Sequence, residues 1–549
     1  MQELSQAQFI ALLRQRGIDV SAKEGRLQIS APTGAIDPQL RAELTRRKPE
    51  LLQALEHSTS PSRRPSLAPA ERNGRIPQTH AQQGMWLIDH FAPGNVAYNI
   101  PEAFFVEGPV ELQHLQTAVD GLLARHETLR TSFYQDDEGE LLQAISPDAR
   151  AQVGYTDLSG IAEADRDRGL RSQIREQSRR PFDLNQPPLV RFHLFRLSGQ
   201  MQVLFFNIHH IISDARSLII LRQELIALYQ AAVRGETAAL PELPIQYADY
   251  AIWAEQYLAT GAMGAQVEYW KAKLAGAPPH LDLPSSRPYP EERTAWGATV
   301  LIAIPASLSS SLAEISRHEG VTMFMAMLAA FAALIYRQSG QQDFCIGSPF
   351  THRNQVETEP IIGLFVNMLV FRCQFQGEPS FREVLRRVRA TALEAYDHSD
   401  LPFQELVRAL KPDLRSRRSP LFQIMFGFDS DTRPGQGVQL VQLDTDPGTA
   451  KFDLTLELHE SSEGISGSFE YCTDLFDAAA IEQLSQQFLA LLEKVTSQPD
   501  QPISSFEMNA AAPEDVAPLP DTPSEPAGFW KGNIKKLAER LSHRGGSSG

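Results

Sequence analysis

Apolar residues along most of the chain alternate between the spacing of strands and the spacing of amphipathic helices. Between residues 77 and 505 the two kinds of segment follow one another, a mixture that predicts an α/β or α+β fold. The clearest strand-like runs are Leu189–Leu197, Met201–Ile208 and Leu364–Phe371, and the clearest helical ones are Leu112–Arg125, Leu218–Arg234 and Val321–Gln338.

Residues 1–57 show a pattern of their own, typical of a small αββα(α) domain. A helix through Leu13 precedes two alternating segments, Ile18–Ala22 and Leu27–Ser30, which a Gly-containing turn joins into a hairpin. Asp37-Pro38 begins a further helix, and Pro49 is expected to kink or split it.

So small a domain has a thin core, and a two-stranded hairpin has open edges. We therefore expect a docking module whose hairpin pairs with a strand of a partner; the alternative is a small cap packed on the main body. The hairpin residues expected to contact the partner are Val20, Arg26, Leu27 and Ile29.

Composition marks further boundaries. Ser and Pro dominate residues 58–76, which predicts a flexible linker, and the Pro-rich region Leu274–Arg293 suggests two lobes, at 77–280 and 281–505. The tail 506–549 is of low complexity and mostly disordered by prediction, except for a helical apolar stripe at 529–541. That stripe is a linear binding motif, a helix folded back on the body, or engineered sequence, as the terminal Gly-Gly-Ser-Ser-Gly suggests.

Charge and cysteine content exclude several classes of protein. A formal net charge of −16 argues against electrostatic binding of nucleic acid. Three scattered cysteines make neither a disulfide framework nor a zinc site, and we expect no metal. Neither a signal peptide nor an apolar run long enough to cross a bilayer is evident. We therefore expect a cytoplasmic protein with neither a membrane nor a nucleic acid as its partner.

The run His209-His210-Ile211-Ile212-Ser213-Asp214 is the strongest candidate for chemistry. It follows the strand-like segment Met201–Ile208, and strand ends are where folds present side chains to a cleft. Histidine titrates near neutral pH and is the usual carrier of a proton in group transfer. Taken alone, the pair is equally well explained by hydrogen-bonded structure.

In the context of the whole chain this run resembles the His-His-x-x-x-Asp-Gly signature of the condensation domains of nonribosomal peptide synthetases. Six further segments, in the family's order, are similar to its other motifs, so the resemblance extends over more than four hundred residues. They are Thr79–Trp86, Arg125–Phe133, Tyr247–Trp253, Ile346–Pro349 with Ile362–Asn367, His398–Phe403, and Ser419–Gln423. Residues 1–57 resemble, by layout, the β-hairpin docking domains at the N-terminus of megasynthase subunits.

The resemblance implies two chloramphenicol-acetyltransferase-like lobes in a V with a central tunnel. It implies transfer of a peptidyl or polyketidyl group from an upstream carrier-protein thioester to an amine or hydroxyl, forming an amide or ester. It further implies an enzyme with no cofactor of its own, because the donor is carried on the phosphopantetheine of a partner carrier protein. The partners implied are an upstream megasynthase subunit, bound through its C-terminal short motif, and an acceptor that is a small molecule or a second carrier protein.

Residue by residue, the resemblance makes His210 the catalytic histidine, which accepts the proton of the nucleophile or positions it. His209 is expected to be structural, pointing to the opposite side if the strand continues. Asp214 is expected to be a buried carboxylate paired with Arg287, the residue that matches the family's arginine. Asn367 and Gln423 are expected to hold backbone near the tunnel.

The sequence departs from the signature at Ala215, where the family has glycine, and Arg216 follows it. Alanine tolerates positive φ poorly, so we expect an ordinary backbone there. Arg216 either faces the acceptor and pairs with its carboxylate or begins a helix in solvent. No adenylation or carrier domain is recognisable in the sequence, so we expect a free-standing enzyme, and an untethered acceptor would release the chain. The alternative is a catalytically impaired docking scaffold, which only Ala215 supports.

Overall fold

The structure is a computed structural model, and its description covers most of the chain between residues 66 and 507. The described residues are 13, 19–23, 26–30, 38–48, 51, 66–72, 74–291, 293–412, 418–429, 441–443, 445, 447–461 and 464–507. Residues 508–549 with the stripe at 529–541, Pro49, most of the first predicted helix, and residues 58–65 and 73 of the predicted linker therefore lie outside the described residues.

The N-terminal hairpin forms as the alternation predicts. Strands β1 (Asp19–Lys23) and β2 (Arg26–Ser30) pair antiparallel with Val20 opposite Ile29 and Ala22 opposite Leu27. A helix follows at Pro38–Arg46 and begins at the proline that the sequence placed in its first turn. Its apolar residues Leu40 and Leu44 are buried.

We use N-lobe for residues 77–280 and C-lobe for 281–505, as the sequence analysis divides them. The N-lobe contains β4–β9 together with a set of helices that cover the sheets. The strands are β4 (Asn99–Glu107), β5 (Thr131–Gln135), β6 (Leu141–Ile145), β7 (Gly154–Asp157), β8 (Val190–Arg196) and β9 (Met201–His209). The helices are His80–Phe91, Leu112–Arg125, Glu163–Ser178, Ala215–Arg234, Tyr247–Ala259 and Gly264–Leu274.

The N-lobe strands form two sheets. Strand β3 (Ile76–Pro77), just ahead of the lobe, joins β6 and β5 in a small sheet of order β3-β6-β5. The larger sheet has the order β14-β4-β9-β8-β7, in which β14 is Val441–Leu443, and β9 lies at its centre, antiparallel to both β4 and β8. Because β9 is buried by neighbours on both sides, its end is a rigid place from which to present a side chain.

The C-lobe is built on one six-stranded mixed sheet of order β10-β16-β15-β13-β11-β12. Its strands are β10 (Gly297–Ile304), β11 (Asp343–Thr351), β12 (Val366–Gln374), β13 (Ile424–Asp429), β15 (Leu454–Ser461) and β16 (Gly464–Cys472). Its helices are Ala306–Glu319, Met323–Ser339, Phe381–Asp397, Phe403–Leu410 and Ala478–Ser497.

The helix Met323–Ser339 is the centre of the C-lobe core, with eleven consecutive residues, 325–335, buried. The sequence predicted it within two residues at each end. Among the described residues no single helix is long and apolar enough to cross a membrane. The helix pair Ala306–Glu319 and Met323–Ser339, bent by 107° at its break, reaches the length and apolar composition of a membrane span only when its two helices are taken together.

Two segments of the C-lobe cross over to the N-lobe. Strand β14 (Val441–Leu443) pairs antiparallel with β4, so a C-lobe strand forms the edge of the larger N-lobe sheet. Residues 352–365, which we call the crossing segment, connect β11 to β12 and bury Ile362 in the N-lobe core. The Tyr247 hydroxyl donates to the Leu364 carbonyl in this segment at 2.6 Å.

Candidate active site

His209 is the last residue of β9, where it pairs with Asn99 of β4, and the strand stops there. Residues 210–212 form a turn of 3-10 helix, so the alternation of a strand does not govern the direction of His210. The His209 side chain is buried and its Nδ1 accepts a hydrogen bond from the backbone N–H of Ile211 at 3.2 Å. These contacts support the structural role expected for His209, although the strand does not continue as assumed.

His210 is held from both sides by backbone carbonyls. Its own N–H donates to the Tyr98 carbonyl at 2.8 Å, and its ring Nδ1 lies 2.7 Å from the Ser213 carbonyl oxygen. A carbonyl oxygen only accepts, so Nδ1 carries the hydrogen and Nε2 of the neutral ring carries the lone pair. The turn thus fixes the tautomer that a proton acceptor at Nε2 requires.

Both imidazoles are kept neutral. Burial, with a smaller contribution from the cation of Lys451, lowers the pKa of His210 to about 4. Burial, followed by the neighbouring His210 and Lys451, lowers the pKa of His209 to about 3. Desolvation disfavours the charged imidazolium, so at neutral pH the Nε2 lone pair of His210 is present in nearly every molecule.

Asp214 caps the helix Ala215–Arg234 and is 1% exposed. Its Oδ1 accepts from the Ser217 backbone N–H at 2.8 Å and from Nη2 of Arg353 at 3.0 Å. Its Oδ2 accepts from the backbone N–H of Phe365 at 3.0 Å. Because Arg353 and Phe365 both belong to the crossing segment, the carboxylate joins the start of an N-lobe helix to the C-lobe.

The prediction that Asp214 pairs with Arg287 is wrong. Arg287 is exposed and its Nη1 donates to the backbone carbonyls of Thr473 and Phe476, at the end of the C-lobe sheet. The buried partner is Arg353, whose side chain is 6% exposed and lies over the Phe365 ring. The physical reason is that the crossing segment carries Arg353 into the N-lobe, whereas Arg287 stays on the outside of the C-lobe.

A sequence signal for Arg353 existed and was missed. The residue stands between Ile346–Pro349 and Ile362–Asn367, the two segments that together resemble the family's fifth motif. Arg353 Nη1 also donates to the Ile361 carbonyl at 2.8 Å, so the arginine ties its own loop as well as Asp214.

The side-chain amides of Asn367 and Gln423 form hydrogen bonds to backbone groups of the C-lobe loops. Asn367 Nδ2 donates to the carbonyls of Ser399 and Leu401, and its Oδ1 accepts from the Phe403 N–H at 2.9 Å. Gln423 Oε1 accepts from the Leu281 N–H at 2.8 Å. These bonds support the structural roles that the sequence assigned to them.

Ala215 and Arg216 are the first two residues of the helix that Asp214 caps. The backbone at Ala215 is helical, as expected for a residue that tolerates positive φ poorly. Ala215 is exposed and Arg216 is half-buried. Their place on the acceptor side stays a prediction.

No group of three or more His, Cys, Asp or Glu side chains within the described part of the chain could hold a metal ion. A neutral histidine with a fixed tautomer beside a junction of two lobes is suited to accept a proton from a nucleophile. Removing the proton of an attacking amine or hydroxyl is one of the tasks of general-base catalysis.

Residues 72–515 match the family model described as "Condensation domain", and the chain belongs to that family. Residues 7–57 match a second model, "TubC N-terminal docking domain". One of the subunits of linear gramicidin synthase from Brevibacillus parabrevis is 41% identical over 447 residues, which are 80% of this chain and 6% of that protein. Phosphinothricin tripeptide synthetase PhsB of Streptomyces viridochromogenes is 37% identical over 83% of this chain and 39% of its own length.

Solved structures agree with these matches. The X-domain from teicoplanin biosynthesis superposes with a TM-score of 0.74 at 27% identity, covering 81% of this chain and all of that one. The first condensation domain of the calcium-dependent antibiotic synthetase gives a TM-score of 0.67 at 20% identity, over 79% of this chain and 99% of that one, which shows a shared fold. The chain spans less than a tenth of the gramicidin synthase subunits that it matches.

The predicted resemblance and fold class are thereby confirmed. The chain has the mixed α/β, chloramphenicol-acetyltransferase-like fold of condensation domains, preceded by a match to a docking domain. Condensation domains form amide bonds by acyl transfer between substrates carried on the phosphopantetheine of partner carrier domains. The fold and family thus define a megasynthase condensation domain.

Proposed function

We propose that this chain is an active condensation enzyme in which His210 handles the proton of the acceptor. The observation that carries the proposal is the pair of contacts at His210, since the Ser213 carbonyl fixes the proton on Nδ1 and leaves Nε2 free to accept another. The acyl group comes from the thioester of an upstream carrier protein and goes to an amine or a hydroxyl.

The transfer proceeds by addition and elimination. The acceptor's N or O forms a bond to the thioester carbonyl carbon, the carbonyl π electrons move to oxygen, and His210 Nε2 takes the acceptor's proton. The carbonyl then re-forms, the C–S bond breaks, and the leaving thiolate takes the proton back from the imidazolium. Thioester and acceptor become amide or ester and thiol, with His210 neutral again. An acceptor that is not tethered would release the chain in this step.

Two arms of one assay test this proposal. The wild-type chain and a His210→Gln variant are mixed with a carrier protein loaded with an acyl thioester and with candidate acceptors, both amine and alcohol, and the carrier is followed by intact mass. We expect loss of the acyl mass with the wild type and formation of acyl-acceptor product, and a much slower loss with the variant. Equal loss with both proteins, or none with either, would contradict the proposal.

We further propose that the hairpin β1–β2 binds the C-terminal short motif of the upstream subunit by strand addition. Its support is the antiparallel pairing of Val20 with Ile29, beside Arg26 and Leu27, and the match of residues 7–57 to a docking domain. Docking raises the effective concentration of the carrier. Deleting residues 1–57 should therefore slow transfer from a carrier fused to its native C-terminal motif, and leave transfer from a carrier without that motif unchanged.

A scaffold without catalysis is the second candidate. One finding favours it: another solved structure similar to this chain is a complex of the teicoplanin X-domain with OxyB, with a TM-score of 0.73 at 27% identity. The helical backbone at Ala215 gives this candidate no support, because replacing the family's glycine has left His210 and Asp214 in ordered hydrogen bonds. The intact-mass assay decides between the two candidates.

A further inference from the structure

The C-lobe brings one cation toward the histidines, and neither the sequence motifs nor the mechanism above uses it. Lys451 lies in the loop that precedes β15 (Leu454–Ser461). Its Nζ is 5.4 Å from the ring centroid of Tyr98. The same Tyr98 ring is 6.4 Å from the His210 ring, and the Tyr98 carbonyl accepts the His210 N–H. The ammonium and the imidazole therefore share one aromatic neighbour across the junction of the lobes.

The loop that carries Lys451 is held by a half-buried arginine, Arg293. Arg293 Nη1 donates to the Lys451 carbonyl at 3.0 Å, and Nη2 donates to the Phe452 carbonyl at 2.5 Å. The Arg293 guanidinium also lies 3.6 Å from the carboxylate of Asp453. Holding the backbone beside Lys451 positions the ammonium without constraining it by an ion pair of its own. Among the described residues no carboxylate forms an ion pair with Lys451.

Four titratable groups lie around the His210 ring, and they come from different parts of the molecule. They are His209 next to it in the chain, Tyr98 just before β4, Asp214 at the start of the helix Ala215–Arg234, and Lys451 on the C-lobe. The carboxylate of Asp214 is saturated by its own donors, including Arg353. After burial, Lys451 lowers the pKa of His210 and, behind His210 itself, that of His209, and the opposing effect of Asp214 on His210 is smaller.

We propose that Lys451 is the cation that stabilises the oxyanion of the tetrahedral intermediate formed beside His210. The proposal rests on the proposed function. When the acceptor adds to the thioester, negative charge develops on the former carbonyl oxygen while His210 becomes an imidazolium. A preorganised cation at the junction offsets that charge, and it does so for every acceptor, amine or alcohol. A contact to the carboxylate of a free acceptor is the competing use of the same ammonium.

The test compares Lys451→Met, which removes the charge, with Lys451→Arg, which keeps it. Single-turnover transfer from a loaded carrier is measured at saturating acceptor, using one acceptor with a carboxylate and its amide analogue. We expect Lys451→Met to slow transfer about 10²–10³-fold for both acceptors, as for loss of an oxyanion donor, and Lys451→Arg to slow it less than about tenfold. Lys271→Met is the matched control, because Lys271 is an exposed lysine paired with Glu268.

The pH dependence of the transfer rate is a second measurement, and loss of a residue with only a structural role would not change it. Removing the cation should raise the pKa of His210, so the acidic limb of the rate profile moves to higher pH in Lys451→Met and stays in place in Lys271→Met. A loss confined to the carboxylate-bearing acceptor would overturn the oxyanion role in favour of acceptor recognition. Equal losses in Lys451→Met and Lys451→Arg together with a lowered melting temperature would reduce Lys451 to structure.

The outcomes separate the two proposals. A wild-type chain that transfers nothing to any acceptor overturns the proposed function and the role of Lys451 with it. Wild-type transfer that Lys451→Met leaves intact overturns the role of Lys451 alone.

Discussion

The side chains of His210 and Asp214 lie in very different surroundings, although the two residues are only four positions apart in the chain. The His210 ring is half-buried and its Nδ1 donates a hydrogen bond to the Ser213 carbonyl, which leaves the lone pair on Nε2. The Asp214 carboxylate is buried and accepts bonds on both oxygens from an N-lobe helix and from the crossing segment. Under the proposed function, one short motif places a proton acceptor beside a structural ion pair, and substitutions should separate the two roles.

The largest effect is expected at the joint. Asp214→Ala leaves the Arg353 guanidinium buried without its carboxylate and removes the cap of the helix Ala215–Arg234, so we expect it to lower the free energy of unfolding by about 3–5 kcal/mol. Chemical denaturation of purified protein measures this, and soluble yield should fall with it. Asp214→Asn keeps the cap and should lose less. Full stability with lost turnover in Asp214→Ala would mean that the carboxylate belongs to the chemistry instead.

The opposite pattern is expected at His210. His210→Ala should slow transfer about 10²–10⁴-fold, the usual contribution of a positioned base, and change the free energy of unfolding by less than about 1 kcal/mol. His209→Ala is the paired control, because its side chain is fully packed and its loss should lower stability first. Single-turnover transfer and denaturation on the same samples check both. Similar losses of stability in the two variants would erase the contrast.

The arginine partner gives an intermediate effect. In a double-mutant cycle, Asp214→Asn and Arg353→Met should show a coupling energy of about 1–3 kcal/mol. Asp214→Asn and Arg287→Met should be additive within about 0.5 kcal/mol, because Arg287 donates to carbonyls of the C-lobe. Chemical denaturation of the wild type with the single and double variants supplies both cycles. Coupling to Arg287 instead would restore the pair that the sequence suggested.

The smallest effect concerns the response of transfer to pH. The pKa of His210 is lowered to about 4, so the neutral form that the proposed mechanism requires persists far below neutrality. Lowering the pH from about 8 to about 6 should leave kcat/KM nearly constant, whereas a histidine of ordinary pKa, about 6.5, would lose about fourfold. A midpoint near the ordinary value would show that the site is more hydrated than its packing indicates.

The same pKa values make stability depend on pH with a definite sign. The pKa values of His209 and His210 in the folded protein lie below that of a histidine in the unfolded chain. At a pH between the folded and the unfolded values, the unfolded chain therefore binds more protons. The contribution is fully present above about pH 6.5 and is lost as the pH falls through the folded pKa values, about 4 for His210 and about 3 for His209. Denaturation midpoints at several pH values measure it, and His210→Gln should show a weaker dependence.

Local pattern predicted the elements well and long-range contacts poorly. Periodicity predicts three elements correctly: the strand that ends at His209, the hairpin β1–β2 and the helix Leu112–Arg125. Burial of one face repeats apolar residues at regular spacing, and burial of both faces of a strand gives a continuous apolar run. The 3-10 turn at His210 leaves no such repeat. Its geometry depends on the Tyr98 carbonyl, more than a hundred residues away in the chain.

The pairing of Asp214 with Arg287 failed for the same reason. A buried ion pair is specified by where two segments meet in space, and the choice between Arg287 and Arg353 depends on which one the crossing segment carries. Lys451 could not be singled out from the sequence, because a single lysine ahead of a strand indicates a solvated charge. Only the structure places its ammonium near the Tyr98 ring, which in turn lies near His210.

Strand β14 has a consequence for anyone who recombines such proteins. Its residues Val441–Leu443 lie in the second half of the chain but complete the edge of a sheet in the first half. A chimera cut near residue 280, with its second half taken from a relative, would carry a foreign edge strand against β4 as well as a foreign Arg353 against Asp214. An exchanged C-lobe should therefore keep a β14 and a crossing segment that match the N-lobe that receives it. Partners for such chimeras should be chosen by the similarity of these two segments rather than by overall sequence identity.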